Sequence, residues 1–249
     1  MVNRRIIAFM IAVLMVVVLA RPDAFAGEKS RSGSYQGRNT GGTWQQNVSR
    51  TPGHVDRSTT WQNERGQGSR TDARTWNKET GTGSYSSTTT RADGRTTSRQ
   101  GTVTRTGEGA YAVEGTRTGP GGKVTEVDKG ITRNPDGTTS VHSIYTGPEG
   151  RTRTVDSTTR KTEEGRSVTG TYSTSGGKSG SFDSNVTRTQ DGLVKEQSLT
   201  NQDGRTWRRS TQRTRDGNTV RRDVNVTTPD GRSRSHSESL AVDPPAASN

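Results

Sequence analysis

Residues 133–151 read RNPDGTTSVHSIYTGPEGR and contain the two turn signatures that recur through the chain. In the segments 134–137 and 147–150, Pro and an acidic residue precede Gly, the residue that supplies the positive φ of hairpin turns. The residues between these segments are mostly Thr, Ser, Val, Ile and Tyr, which favour β-strands or tolerate them. This stretch therefore predicts one short strand held between two hairpin turns.

A first series of these turns repeats along the chain with a period of 27 or 28 residues. Its glycines are 28, 28, 27, 27 and 27 residues apart, and a basic residue follows each of them. The glycines are Gly94, Gly122, Gly150, Gly177, Gly204 and Gly231. The basic residues are Arg95, Lys123, Arg151, Lys178, Arg205 and Arg232. Spacing this regular indicates a repeat architecture.

A second series of turns lies between the members of the first. Its glycines are Gly109, Gly137, Gly165, Gly192 and Gly217, at spacings of 28, 28, 27 and 25 residues. A basic residue stands four positions before each of them: Arg105, Arg133, Lys161, Arg188 and Arg213. Two interleaved series give two turns per repeat, so the sequence predicts one β-hairpin in every 27–28 residues.

The predicted fold is all-β: a repetitive antiparallel β-hairpin meander that is single-layered, twisted and extended. Continuing the period backwards predicts turns near Gly81 and Gly68, and about 14 strands from the Trp61 region to Leu240. Hydrophobic residues are 23% of the chain, which is too few for a large packed core. A β-solenoid with two strands per coil has the same period, and a largely disordered chain has a similar composition, so both remain alternatives.

The N-terminus has the organisation of a secretory signal. Arg4 and Arg5 precede an apolar run over residues 6–20, and the small-residue pattern of a cleavage site follows at residues 24–26. We therefore expect a signal peptide over 1–26 and export to the periplasm, the cell surface or the medium. The rest of the chain is predicted to comprise a flexible Gly/Ser/Arg/Trp-containing leader (27–60), the tandem hairpins (61–240) and a disordered tail (241–249).

Residues that carry out catalysis are scarce. The chain has no cysteine, and its three histidines, His54, His142 and His236, have no partner at the spacing of a metal site or a catalytic triad. Many of the Asp and Glu residues stand beside turn glycines, where turn geometry explains them. We expect neither an enzyme nor a bound metal or cofactor.

Positive charge is the strongest functional signal. The formal net charge is +12, and 30 of the 37 basic residues are Arg, whose planar fork binds phosphate, sulfate and carboxylate groups in bidentate fashion. In a meander, the first-series cations line one sheet edge and the second-series cations line the other. We predict that both sets bind an anionic cell-surface or extracellular polymer: lipopolysaccharide, acidic polysaccharide or extracellular DNA.

The four tryptophans form a second group of candidate binding residues. Trp44, Trp61, Trp76 and Trp207 are able to stack on sugar rings, which makes them candidates for glycan binding. They are equally able to cover the sparse apolar face of the sheet.

These observations lead to one functional prediction and two alternatives. We expect an exported, non-enzymatic envelope or extracellular scaffold protein that associates with anionic polymers. The alternatives are an adhesin-like glycan-binding module that uses the tryptophans, and a self-assembling surface or matrix protein, because an open meander leaves unpaired sheet edges. We expect no membrane span once the signal peptide is removed, since lipid-facing strands need apolar residues and aromatic girdles, and aromatic residues are only 5% of the chain.

Overall fold

The computed structural model describes residues 26–37 and 41–242. Residues 1–25 of the predicted signal peptide (1–26) and residues 243–249 of the predicted tail (241–249) lie outside the described residues. The first two residues of that tail, 241 and 242, instead belong to the last strand of the chain. The described part consists of strands and short connections, and it contains no helix long and apolar enough to cross a membrane.

Sixteen β-strands follow one another along the chain. They are β1 (Gly27–Gly37), β2 (Gly41–Thr51), β3 (His54–Asn63), β4 (Gly66–Asn77), β5 (Thr82–Thr90), β6 (Thr96–Gly107), β7 (Ala110–Thr118), β8 (Val124–Arg133), β9 (Thr139–Thr146), β10 (Thr152–Lys161), β11 (Gly165–Thr174), β12 (Ser179–Thr189), β13 (Gly192–Asn201), β14 (Thr206–Asp216), β15 (Thr219–Thr227) and β16 (Ser233–Val242). Each strand pairs antiparallel with its sequence neighbours. The prediction of an all-β hairpin meander is therefore confirmed.

The meander closes into a barrel, and the prediction of an open, extended sheet is wrong. Strand β1 pairs antiparallel with β16, from Gly33 opposite Val242 to Gly37 opposite Glu238. Strands twist, and a twisted sheet of this many strands curls, so its two edges are able to meet and satisfy each other's backbone groups. The antiparallel closure also excludes the alternative β-solenoid.

Residues 27–60, expected to be a flexible leader, instead contain β1, β2 and most of β3. The sequence pattern did not predict these strands, because the described connection within this segment lacks the repeat signature. Strands β2 and β3 are joined by Pro52 and Gly53, with His54 rather than a basic Arg or Lys after the glycine. This segment supplies the strand that closes the ring.

The first-series turns form as predicted, with positive φ at all six glycines. At Gly94, for example, φ is 75°, and its amide donates to the Arg91 carbonyl at 2.9 Å. The second series is less uniform, because Gly165 and Gly192 begin strands and the two-residue loops before them make the turns. The predicted turn at Gly81 is correct, whereas Gly68 lies within β4 and the turn is at Gly66.

Side chains alternate between the two faces of each strand, as they do in any β-sheet. The buried hydrophobic residues all lie on one of these faces: Val103, Val113, Val127, Val155, Val168 and Leu199. In a single-layer barrel, side chains crowd together on the concave side. We call the face that carries these six residues the inner face and the opposite one the outer face.

Candidate functional site on the inner face

Basic side chains of the strands are concentrated on the inner face. Across the described strands, 21 Arg and Lys residues lie on the inner face and three on the outer face. The inner cations are Lys29, Arg31, Arg50, Arg57, Arg70, Arg74, Arg99, Arg105, Arg117, Lys129, Arg133, Arg153, Lys161, Arg166, Arg188, Lys195, Arg209, Arg213, Arg215, Arg222 and Arg234. The outer cations are Arg160, Arg208 and Arg221.

Acidic side chains show the opposite distribution. Asp72 and Glu238 are the two carboxylates on the inner face of the described strands, and ten lie on the outer face. The outer carboxylates are Glu28, Asp56, Glu114, Glu126, Asp128, Asp156, Asp183, Glu196, Asp216 and Asp223. Most of the remaining outer positions are Thr and Ser. The strands therefore enclose a cationic interior within a hydroxyl-rich, acidic exterior.

All the aromatic residues of the described strands also lie on the inner face. They are Tyr35, Trp44, Trp61, Trp76, Tyr85, Tyr111, Tyr145, Tyr172, Phe182 and Trp207. Several hold cations over their rings: Lys129 Nζ is 5.5 Å from the Tyr145 ring centre, and the Arg153 guanidinium carbon is 5.7 Å from that of Tyr172. These cation–π contacts fix the position of basic side chains inside the barrel.

The candidate glycan-stacking tryptophans share this face but do not form one platform. Trp44 and Trp61 are directly opposite each other on β2 and β3. The ring of Trp76 on β4 lies 6.1 Å from that of Tyr111 on β7. Trp207 is far from both in the sequence, on β14, where it is opposite Leu199. All four are partly buried, so they contribute to the sparse apolar surface within the barrel.

Aromatic rings lie over glycines on neighbouring strands, a feature that the sequence analysis missed. A Cβ atom at Gly68 would lie 2.3 Å from the Trp61 ring, and one at Gly101 would lie 2.7 Å from the Tyr85 hydroxyl. Only glycine leaves room for the ring at these positions, so these strand glycines are packing sites rather than turns. Alignment of each aromatic residue with the cross-strand glycine would have revealed the pattern.

The first-series cations lie together at one end of the barrel, which we call the first rim. Arg95, Lys123, Arg151, Lys178, Arg205 and Arg232 are all exposed there. Three of them are paired with a carboxylate of their own turn: Arg95 with Asp93 at 2.6 Å, Arg151 with Glu149, and Arg232 with Asp230 at 3.1 Å. The predicted sheet edge is thus one end of a ring, and turn carboxylates neutralise half of its predicted cations.

The second-series cations lie at the opposite end, the second rim, and belong to the inner face. They lie near the C-terminal ends of their strands on that face: Arg105, Arg133, Lys161, Arg188 and Arg213. The connections beyond the first four of them contain carboxylates: Glu108, Asp136, Glu163, Glu164 and Asp191. These four cations therefore line the barrel interior close to carboxylates of the second rim.

Two groups of inner cations were not predicted from the sequence. The Asp72 cluster comprises Asp72 with Arg70, Arg74, Arg99 and Arg117 on β4, β6 and β7. The Lys195 cluster comprises Arg166, Lys195, Arg209, Arg213 and Arg222 on β11, β13, β14 and β15. Counting the strand positions from each turn would have found both, since basic residues and acidic residues occupy opposite parities.

The Asp72 cluster has an internal counter-charge. Arg70 donates from Nε and Nη2 to the two Asp72 oxygens at 2.9 and 2.7 Å, and Arg99 Nη2 lies 3.9 Å from Asp72 Oδ1. Burial raises the pKa of Asp72, but the Arg70 and Ser87 hydrogen bonds and the Arg charges outweigh it and lower the pKa below its ordinary value. The carboxylate therefore stays ionised and neutralises part of the cluster.

The outer face offers polar surface and open depressions. One depression of about 450 Å³ is lined by Asp156, Thr171, Ser173 and Ser181, among other residues. His142 Nδ1 lies 2.6 Å from Asp156 Oδ1, an exposed pair on neighbouring strands. Among the described residues, no group of three or more His, Asp or Glu is placed to hold a metal ion.

Comparison with protein-family models, with curated proteins and with solved structures gives no match for this chain.

Proposed function

We propose that this protein is an exported, non-enzymatic scaffold of the cell envelope or extracellular space that binds anionic polymers through the inner face of its barrel. The observation that carries the proposal is the separation of charge, with 21 strand cations and two carboxylates on the inner face. The predicted signal peptide, followed by β1 from Gly27, supports export.

Enclosed cations favour a polymeric anion for a physical reason. Basic side chains held on one concave face repel each other, and low-dielectric walls strengthen the positive potential between them. Barrels of about 16 strands leave an aqueous channel rather than a filled core. A single extended chain of negative charges is thin enough to contact many of these cations together, and it releases counterions as it binds.

The chemistry of the inner face suits each of the three candidate polymers. Arg is the dominant cation and forms bidentate bonds to phosphate, sulfate and carboxylate oxygens. Lipopolysaccharide phosphates, acidic polysaccharide and single-stranded extracellular DNA all present such groups on a thin chain. The aromatic rings that accompany the cations add surfaces on which sugars or bases stack.

The two alternative functions are affected differently by the closed barrel. Self-assembly was predicted from unpaired sheet edges, but β1 and β16 pair with each other, so that reason no longer applies. Glycan binding by the tryptophans remains a prediction, and their location on the inner face places any such contact beside the cations.

Binding of heparin and of a fluorescent single-stranded oligonucleotide at about 50 mM salt tests the proposal. We expect both polymers to bind, and we expect the affinity to fall steeply as salt is added. A protein that ignores heparin, single-stranded DNA and lipopolysaccharide at this salt concentration would rule the proposal out.

Two triple variants show which face binds. The inner variant R105S/K161S/R188S and the outer variant R160S/R208S/R221S each remove three positive charges from strands. The plot of log affinity against log salt concentration has a negative slope for the oligonucleotide. We expect the inner variant to make this slope shallower by about 2. The outer variant is the matched control, and an equal loss in both would mean that the net charge, not the inner face, determines binding.

A further inference from the structure

The Lys195 cluster places five cations around one point of the inner face. Lys195 on β13 is directly opposite Thr211 on β14, and Arg209 and Arg213 stand two residues to either side of Thr211. On the next strand, Arg222 is directly opposite Arg213. Diagonal neighbours of this kind lie about 7–8 Å apart and are within reach of long side chains. Arg166 approaches from β11, opposite Val186, which in turn is opposite Lys195.

Little negative charge balances these cations. Arg222 Nη1 lies 2.6 Å from Glu238 Oε1, and Glu238 is the one inner carboxylate of the described strands β8 to β16. Arg213 and Arg222 form a like-charged pair at directly opposite positions, an arrangement that destabilises a sheet. Five positive charges against one negative charge leave the cluster with a large uncompensated positive potential.

Two donor atoms in the cluster also have no acceptor. Within the described part of the chain, the Nε atoms of Arg209 and Arg222 are buried and form no hydrogen bond. Buried polar groups are nearly always paired in folded proteins, so an unpaired donor inside a cationic site points to a missing acceptor. Both donors lie on strands next to each other, β14 and β15.

The electrostatics of Lys195 agree with this geometry. Burial lowers the pKa of the Lys195 ammonium, and the charges of Arg209, Arg166, Arg213 and Arg222 lower it further. Burial and the charge of Arg222 also lower the pKa of Arg209. Perturbed cations in a shared concave surface are typical of a binding site for the opposite charge.

We propose that the Lys195 cluster is a site for a phosphate group that carries about two negative charges, presented free or as the terminal group of a polymer. A phosphate monoester or pyrophosphate supplies this charge and several strong acceptor oxygens, whereas a sulfate ester or carboxylate supplies one charge. This site rests on the proposed function, because it makes the inner face selective for phosphorylated polymers among anionic ones. Arg209 and Arg222 donate to the phosphate oxygens, and Lys195 contributes a point charge.

Titration calorimetry with inorganic pyrophosphate tests the site directly. We expect pyrophosphate to bind the wild-type protein and Lys195→Met to weaken this binding at least 10-fold. Arg208→Met is the matched control, since Arg208 is next to Arg209 on β14 but lies on the outer face, opposite Ser198; we expect a change of less than twofold. Absence of pyrophosphate binding, or equal losses in the two variants, would overturn the site.

Further measurements separate the sources of phosphate and the two proposals. An oligonucleotide with a 5′-phosphate should compete with pyrophosphate at least fivefold better than the same oligonucleotide without it if the site accepts polymer ends. Equal competition would restrict the site to free phosphates.

Heparin binding separates the site from the proposed function. If heparin binds and pyrophosphate does not, the phosphate site is wrong and the proposed function stands. If neither binds, both proposals are wrong. Arg209→Gln provides a second variant if Lys195→Met does not fold, and we expect it to weaken pyrophosphate binding to a similar extent.

Discussion

The Asp72 cluster and the Lys195 cluster show two ways in which the same barrel handles crowded cations. Each places at least four basic side chains on the inner face of adjacent strands. In the first, Asp72 accepts two hydrogen bonds from Arg70 and lies near Arg99, and its side chain is only 12% exposed. In the second, Lys195 has cations around it and the one nearby carboxylate, Glu238, binds Arg222 at the edge.

Charge on the inner face therefore has two separate roles. A carboxylate enclosed by arginines supports the fold, because each partner would cost free energy if it were left buried alone. A group of five cations with one carboxylate at its edge opposes the fold, and the protein gains stability when an anion binds there. The first region is therefore a structural device, and the second is the better candidate for binding.

Removal of the Asp72 charge should have the largest effect on stability. In Asp72→Asn, Arg70, Arg74, Arg99 and Arg117 lose the one carboxylate of their cluster. We expect the free energy of unfolding to fall by about 2 kcal/mol, less than for a fully buried pair because the arginines are partly exposed. Urea denaturation measures this loss.

The matched control for this variant is Asp156→Asn, which neutralises an exposed carboxylate of the outer face. Surface changes of this kind alter stability by about 0.5 kcal/mol or less. Equal effects of the two substitutions would show that Asp72 has no special structural role.

Removal of the Lys195 charge should have a smaller effect of opposite sign. Lys195→Met keeps a long apolar side chain and eliminates the repulsion from four arginines. We expect the free energy of unfolding of the ligand-free protein to rise by about 0.5–1 kcal/mol at neutral pH. Chemical denaturation of Lys195→Met and Arg70→Met tests the sign of the change in the free energy of unfolding. Arg70→Met breaks an ion pair, so it should destabilise the protein.

The pH dependence of the two clusters should also differ, by smaller amounts. The pKa of Asp72 is lowered on folding, so its contribution is fully present above its unfolded pKa of 3.8 and is lost as the pH falls through its folded pKa. Folding lowers the pKa of Lys195 below its unfolded value of 10.5. Between the folded and the unfolded pKa the folded state therefore binds fewer protons than the unfolded state, and the free energy of unfolding rises with pH over that range.

Denaturation across pH tests both statements. The stability difference between the wild type and Asp72→Asn should narrow as the pH is lowered from 5 towards 2. The difference between Lys195→Met and the wild type should narrow as the pH approaches 10.5. Differences that stay constant over these ranges would contradict the assigned pKa directions.

Turn chemistry was sufficient to predict most of the strands and their order. Gly94 and the other first-series glycines adopt the predicted positive φ, and the repeat period predicted the strands from β4 to β16 and the end of β3. Closure was not predictable from local signals, because the pairing of β1 with β16 depends on twist accumulated over the whole sheet. The strands β1 and β2 and most of β3 were missed because the connection Pro52-Gly53 between β2 and β3 lacks the repeat signature.

The candidate site was predicted only in part. The sequence predicted that cations recur in register, and the strands from β6 to β14 do carry such residues at the second rim: Arg105, Arg133, Lys161, Arg188 and Arg213. It did not predict that the first-rim cations Arg95, Arg151 and Arg232 pair with carboxylates of their own turns. The Lys195 cluster was missed because its members come from four strands, and only the cross-strand register brings them together on one face.

The two faces of the sheet become an interior and an exterior only if the sheet closes, so closure is the central claim. Ser34 on β1 and Ala241 on β16 are directly opposite and exposed, and the chain contains no cysteine. Oxidation of the S34C/A241C variant should give an intramolecular disulfide in the folded protein, detected by faster migration in a non-reducing gel. The control S34C/T116C, with its second cysteine on β7, should give none. Failure of S34C/A241C to cross-link, or cross-linking only between molecules, would contradict the closed barrel.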